Sequence, residues 1–570
     1  MTRVRPFAAF LVALAAAPAA AAAPRDDLLR VAPPDAAVVV LVQNASAHAK
    51  AVLGSPFAAW FPSSPLGKQM AAGFKIGDAR DGFRAVLGAL DTTPDEILTD
   101  VLGDAVGFAY TPAPGNDPAG ERSVILVRPR NPATLTRLLD RFNDLQTRDG
   151  ELKSVERRDY AGAAYTARRR ADGADEFYAL RGGVFAFSRS EADVKAVLDR
   201  DRAATPAGGE RPGWGAKLAR LGLADAAAVV LVNPRALDAE LAAKVAAAGA
   251  DERVFLARFG EAWKALDAAA VFLTLGDGVE AGVALDFRPG ELPPVARSWL
   301  TGARTPSALW AAVPDDALGA VAARFRAAEV VELVRALLPE KGRAAIDAAV
   351  GGTLAPLIGR DRLPRVLEAL GPDWAVWAEP PAAGAGPLPV LVGAVRLRAD
   401  GPHGAEVTRA VERAVAFGFE AARVAYNTNH ADQIELEEEA AADGRLTTLV
   451  GEKAFPPGVR PSFAVKGGFL VFSTSPDAIR RFRPPSDAPA AGANGEAVVA
   501  RVSGPAVRAY LREHGAVLAR VLGGDAAGTE QTLDQLVVLL DPIERAEVLV
   551  RGTETGIRLT VRVRLVRPLK

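Results

Sequence analysis

The octapeptide Arg181-Gly182-Gly183-Val184-Phe185-Ala186-Phe187-Ser188 reappears in the second half of the chain as Lys466-Gly467-Gly468-Phe469-Leu470-Val471-Phe472-Ser473. A repeat constrains a fold more than any local propensity does, because both copies must satisfy one topology. Each copy has a serine two residues further on, Ser190 or Ser475, ahead of a helical pattern. Asp193 three residues after Ser190, and Pro476 directly after Ser475, are helix-entry signals. The glycine pairs read as tight turns between strands, since glycine accepts the positive φ that two-residue hairpin loops require.

The correspondence extends upstream. Leu102-Gly103-Asp104 opens an apolar strand ending near Tyr110, and Leu370-Gly371-Pro372-Asp373 opens another through Trp374 and Trp377. Each runs into a Pro/Gly-rich loop, Thr111–Glu121 or Glu379–Pro389, and then a second strand, Ser123–Val127 or Val390–Val395. A helix follows. In the first copy Asn131 caps it, Pro132 fills the first turn, and Leu135, Leu138, Leu139, Phe142 and Leu145 share a face. In the second, Val407, Ala410, Val411 and Ala414 keep that spacing. The halves are expected to begin alike, with Ala36–Val42 and Ser307–Val313 as strands.

A second module follows each first one, after connectors at Thr205–Pro212 and Pro484–Gly495. Val229–Val232 with Asn233-Pro234 matches Val498–Val502 with Ser503-Gly504-Pro505. Helices come next, and each module closes on a hairpin: Val271–Leu275 into Val279–Phe287, and Ala546–Val550 into Ile557–Leu565. In the last strand Ile557, Leu559, Val561, Val563 and Leu565 alternate with polar residues, the period of a strand with one wet face. Hairpins outnumber crossovers. The expected fold is therefore α+β, a tandem duplication of an A-B unit with largely antiparallel sheets and packed helices. The expected boundaries are a signal peptide at 1–23, module A at 24–208, B at 209–300, A′ at 301–486 and B′ at 487–570.

The signal-like N-terminus, the Leu-Gly-Asp strand start, the Asn-Pro helix entry and the Gly-Gly strand before a Ser-led helix together resemble a group of exported bacterial proteins that carry a domain of unknown function. The resemblance covers most of the chain. It implies export and this architecture, and it assigns no activity and no residue roles.

Export is also legible directly. Arg3 and Arg5 form a basic start, Phe7–Ala17 is apolar, and Ala19–Ala23 supplies the small residues a signal peptidase needs. The apolar stretch is too short to span a bilayer, and cleavage is expected after Ala21 or Ala22. No membrane span is expected after cleavage, and the location is periplasmic or extracellular. The 68 Lys+Arg balance 69 Asp+Glu, a net charge of -1, so no overall basic field attracts nucleic acid. With no cysteine, disulfides, zinc thiolates, iron–sulfur clusters and thiol nucleophiles are excluded.

Motifs that carry chemistry are hard to find. The four histidines, His48, His403, His430 and His514, are scattered and form no HExxH pair. No G-x-S-x-G elbow or phosphate-binding glycine loop occurs, and Ser188 and Ser473 read as strand-end residues. Seven tryptophans read as core and junction fillers, with lining of a ligand site as the other reading. Trp374 and Trp377, three apart in a strand, should face opposite sides. No cofactor, metal site or catalytic residue is assigned.

One contrast separates the halves. Arg157, Arg158, Arg168, Arg169 and Arg170 make the hairpin before the first Gly-Gly strand basic, whereas Glu435, Glu437, Glu438 and Glu439 make its counterpart acidic. One reading is two solvated hairpins whose charges deter edge pairing. The other is an interaction surface, joining halves or molecules by charge. The expected function is a non-catalytic binding or scaffolding protein of the envelope, with another envelope protein or a second copy as partner. The alternatives are a carrier of an apolar ligand between sheet and helices, and an unrecognised hydrolase.

Overall fold

The computed structural model describes residues 23–55, 58, 60–64, 67–68, 84–113, 120–203, 213–292, 297, 300, 302, 305–398, 404–441, 444–485, 495–521 and 526–566. The expected signal peptide, both connectors, His403 and Trp299 lie wholly or mostly outside them. Two compact units divide the chain: residues 1–50 with 77–236, and residues 51–76 with 237–570.

In the first unit the strands are β1 (Val38–Gln43), β2 (Ala105–Thr111), β3 (Arg122–Arg128), β4 (Leu152–Tyr160), β5 (Ala163–Arg170), β6 (Asp175–Arg181), β7 (Val184–Ser188) and β8 (Ala228–Val232). They pair antiparallel in the order β8-β1-β2-β3-β7-β6-β5-β4. Strand β8, from the expected module B, is therefore hydrogen-bonded into the same sheet as the strands of module A. β1 alternates, burying Val39, Leu41 and Gln43 beneath the helix Pro24–Val31, whose Leu28, Leu29 and Val31 are also buried. The other face is covered by the helix Pro132–Arg148, where Leu135 and Leu138 meet Val127 and Phe185. Asn131 starts that helix: its Oδ1 accepts from Ala133 N at 3.1 Å and Thr134 N at 3.4 Å.

In the second unit the strands are β9 (Leu266–Leu275), β10 (Gly278–Phe287), β11 (Gly319–Arg324), β12 (Leu370–Glu379), β13 (Val390–Leu397), β14 (Glu435–Ala441), β15 (Gly444–Val450), β16 (Ser462–Lys466), β17 (Phe469–Ser473), β18 (Ala497–Ser503), β19 (Ile543–Gly552) and β20 (Gly556–Leu565). All pairings are again antiparallel. The order is β9-β10-β20-β19-β18-β11-β12-β13-β17-β16-β15-β14. From β18 to β14 it repeats, strand for strand, the order of the first unit. One face buries Ala320, Ala322, Ala375, Trp377, Val392, Ala394 and Val471 against Ile479 of the helix Pro476–Arg481 and Phe482 just past its end. The other is covered at one end by the helix Gly404–Asn429, through Val407 and Val411 over Val395, Leu397 and Leu470. Away from that helix the same face carries an apolar cross-strand row, Val561–Val548–Ala500–Val321–Val376–Gly393–Phe472. Val321, Val376, Phe472 and Val561 in it are exposed.

The Gly-Gly turns form as expected. Gly182 and Gly183 have φ of 58° and 77°, and Gly467 and Gly468 have φ of 55° and 79°. Ser188 and Ser473 close their strands identically: each hydroxyl donates to a carbonyl of the neighbouring strand, Ser123 or Leu391, and accepts from the backbone of Ser190 or Ser475. Trp377 is buried, and Trp374 faces the other way, half-buried and stacked on Phe325 at 5.1 Å. One expected strand is wrong. Ser307–Val313 is not extended; Ala308–Ala312 is a short 3-10 helix, and the strand comes later, at β11. Ser307 caps the helix by accepting from Leu309 N at 3.3 Å, a local side-chain bond that outcompetes the extended state.

Candidate functional site

The two charged hairpins turn out to be internally neutralised. β4 and β14 are the edge strands of their sheets, where charge deters pairing with other chains. Arg158 bonds Glu156 at 2.8 Å, Arg169 lies 3.3 Å from Asp175, and Arg170 lies 3.5 Å from Asp172. On the acidic hairpin, Glu437 pairs with Arg460 at 2.9 Å, Glu438 with Arg445 at 2.7 Å and Glu439 with Arg480 at 2.5 Å. Arg157 and Glu435 are exposed on those edges. Arg168 departs from the expectation of a surface residue. It is 5% exposed, with its guanidinium 2.9 Å from Glu176, bonded to Gln146 and 5.3 Å over the ring of Phe142. Burial lowers its pKa and the Glu176 charge opposes that, the pattern of a structural ion pair.

A site the sequence did not single out lies in the second unit. A cleft of about 860 Å³ opens where the ends of β11, β12 and β13 meet the segment Thr305–Ser307 that leads into the short helix Ala308–Ala312. Its described lining includes Arg324, Arg326, Arg396 and Arg398 against two carboxylates, Glu329 and Asp373. Each arginine sits at or just past a strand end, where the chain leaves the sheet. Arg324 ends β11, with Arg326 two residues on; Arg396 precedes the last residue of β13, with Arg398 two residues on. Residues two apart on extended chain share a side. Val498, Val550 and Ile557 form an apolar wall.

The carboxylates are already engaged. Asp373 is 3% exposed, and its Oδ1 accepts from the Ser307 hydroxyl at 3.1 Å and from Ala308 N at 2.9 Å. Its other oxygen lies 4.0 Å from Arg396 Nη1, the outer limit of an ion pair. Glu329 lies 3.4 Å from Arg326. Arg396 also stacks 5.6 Å over Phe469, which fixes its plane. Among the described residues the side chains of Arg324 and Arg398 have no hydrogen bond or ion pair, and both are exposed. Gly371 lets the walls close up: at φ 106°, its missing Cβ would meet Phe325 O at 2.5 Å.

Chemically, this arrangement can neutralise an anion. Guanidiniums keep their charge at any physiological pH and present forked donors to carboxylate or phosphate oxygens. No histidine lines the cleft among the described residues, and the Ser307 hydroxyl is committed to Asp373. No group of three or more His, Asp or Glu among the described residues is arranged to hold a metal ion. The signal that would have found the cleft is the doublet Arg128-Pro129-Arg130 and its counterpart Arg396-Leu397-Arg398, which a comparison of the halves places at one position. No family model, curated protein or solved structure matches the chain.

Proposed function

We propose that the protein is an exported, non-catalytic binding protein that captures a small anionic ligand in the cleft of its second half. The observation that carries this reading is the pair Arg324 and Arg398, two guanidiniums without partners among the described residues, at the mouth of a cleft whose acids are already engaged. A volume of about 860 Å³ falls in the range of small-molecule sites. Export rests on the basic and apolar N-terminal run, in line with the resemblance to exported bacterial proteins.

The same proposal takes the chain to be a tandem duplication. The shared strand order supports it, and so do matched hydrogen bonds. Ala37 N bonds Tyr110 O as Leu318 N bonds Ala378 O; Asn44 N bonds Asp104 O as Phe325 N bonds Pro372 O; Asn233 N bonds Ala37 O as Ser503 N bonds Leu318 O.

Thermal denaturation in the presence of succinate, phosphate and sulfate tests anion capture. A ligand that binds only the folded state raises Tm with concentration. The expected result is a saturable rise that Arg324→Gln with Arg398→Gln removes; equal shifts in both proteins overturn the reading. A second reading, carriage of an apolar ligand, is favoured by the open row Val321, Val376 and Phe472. It requires that a fluorescent fatty acid bind and that Val376→Asp abolish the binding.

A further inference from the structure

We propose that the ligand of the arginine cleft is a short dicarboxylate, held by one carboxylate at each end; the proposal rests on the anion-capture reading above. The first half of the chain shows how the same arginines are satisfied when the chain supplies the acids. Arg128 and Arg130 follow β3 as Arg396 and Arg398 follow β13, because Val127 pairs with Phe185 as Val395 pairs with Leu470, each one residue into the strand after the Gly-Gly turn. In the first half Arg128 Nε lies 3.1 Å from Asp27 Oδ2, and Arg130 Nε lies 3.0 Å from Asp104 Oδ1. Two separate carboxylates thus neutralise the two arginines.

The second half keeps both arginines and has no acid at either of those two positions; its own acid, Asp373, stands one residue after Pro372, 4.0 Å from Arg396, and is already held by Ser307 and Ala308. Asp104 accepts from the Asn44 backbone N–H just as Pro372 accepts from that of Phe325, so a proline stands where the first acid stood. Asp27 comes from the helix Pro24–Val31, which precedes β1. Its counterpart before β11 is the five-residue 3-10 helix Ala308–Ala312, with the sequence ALWAA and no acid. The change goes further at the last residue of the first strand: Gln43, which accepts from Arg25 at 3.1 Å, becomes Arg324. The second half therefore lacks those two carboxylates and adds a cation.

Arg396 and Arg398 are two residues apart on extended chain, so their Cα atoms stand about 7 Å apart. That separation suits two anionic groups on a short spacer better than one compact anion. Val498, Val550 and Ile557 offer an apolar wall for the spacer.

The test is a titration of the mature chain followed by tryptophan fluorescence, since Trp374 stacks on Phe325 in the cleft wall. The probes are succinate, butyrate and inorganic phosphate at low ionic strength. The expected result is succinate at least tenfold tighter than either of the others, with Arg398→Gln lowering succinate to the level of butyrate. Because Arg398 is exposed, that variant should keep the wild-type far-UV spectrum and Tm without ligand. Phosphate binding as tight as succinate and lost in Arg398→Gln would overturn the dicarboxylate while leaving the anion site standing. Equal affinity for succinate and butyrate would also overturn it. No saturable change with any anion would overturn both readings.

Discussion

Arg168 illustrates what single residues conceal. In the run Arg168-Arg169-Arg170 the sequence offers no reason to separate one arginine from the others, yet Arg168 is buried against Glu176, Gln146 and Phe142 while Arg169 is exposed. Truncating one partner of a buried pair strands the other charge, so Arg168→Ala should cost about 3 kcal/mol or more by chemical denaturation, whereas Arg169→Ala should cost less than about 0.5 kcal/mol. Glu191 provides a pH signature. The Tyr165 hydroxyl first, then Lys195, hold its pKa below the ordinary 4.5. A depressed carboxyl stabilises the fold fully above its unfolded value, and that stabilisation is lost as pH falls through the lower folded value. Wild type should therefore exceed Glu191→Gln in stability at neutral pH, with the gap narrowing below about pH 4.5 in acid titrations followed by circular dichroism. A gap independent of pH would contradict this assignment.

At the level of elements, the Gly-Gly turns and the Asn131 and Ser190 caps were the most legible features, because they specify local geometry without help from distant contacts, whereas Ser475 leads its helix without a side-chain cap bond. The start of the second half was not legible. Ser307–Val313 is as apolar as a strand, and the Ser307 hydroxyl that caps the 3-10 helix is itself held by the buried Asp373, 66 residues away in sequence. The Gly-Gly turns also differ in a way the sequence hides. Both second glycines have positive φ, which costs other residues about 1–2 kcal/mol. A Cβ at Gly183 would also push aside the Arg128 guanidinium, at the expense of its bonds to Asp27 and Gly183 O, whereas one at Gly468 would meet only Leu397 O at 3.9 Å. Gly183→Ala should therefore destabilise more than Gly468→Ala, read from urea midpoints at equal m; the reverse order would contradict the described turn.

For the whole molecule, the antiparallel α+β class and most of the strand positions follow from alternation and turn chemistry, β11 being the exception that Ser307–Val313 displaced. The cleft does not, since it depends on which residues the strand register brings together: Arg324 and Arg398 at the ends of β11 and β13, beside Asp373, which Ser307 and Ala308 already hold. Export is the remaining expectation at this scale: N-terminal sequencing of protein from its native host should find a start near Ala22 or Ala23, and a retained Met1 would contradict it. The most direct measurement is isothermal titration calorimetry of succinate into the protein at low salt, repeated with Arg324→Gln/Arg398→Gln. The account predicts one saturable site per chain that weakens as salt rises and vanishes in the double variant. Identical heats from wild type and variant, or no saturable heat from either, would contradict it.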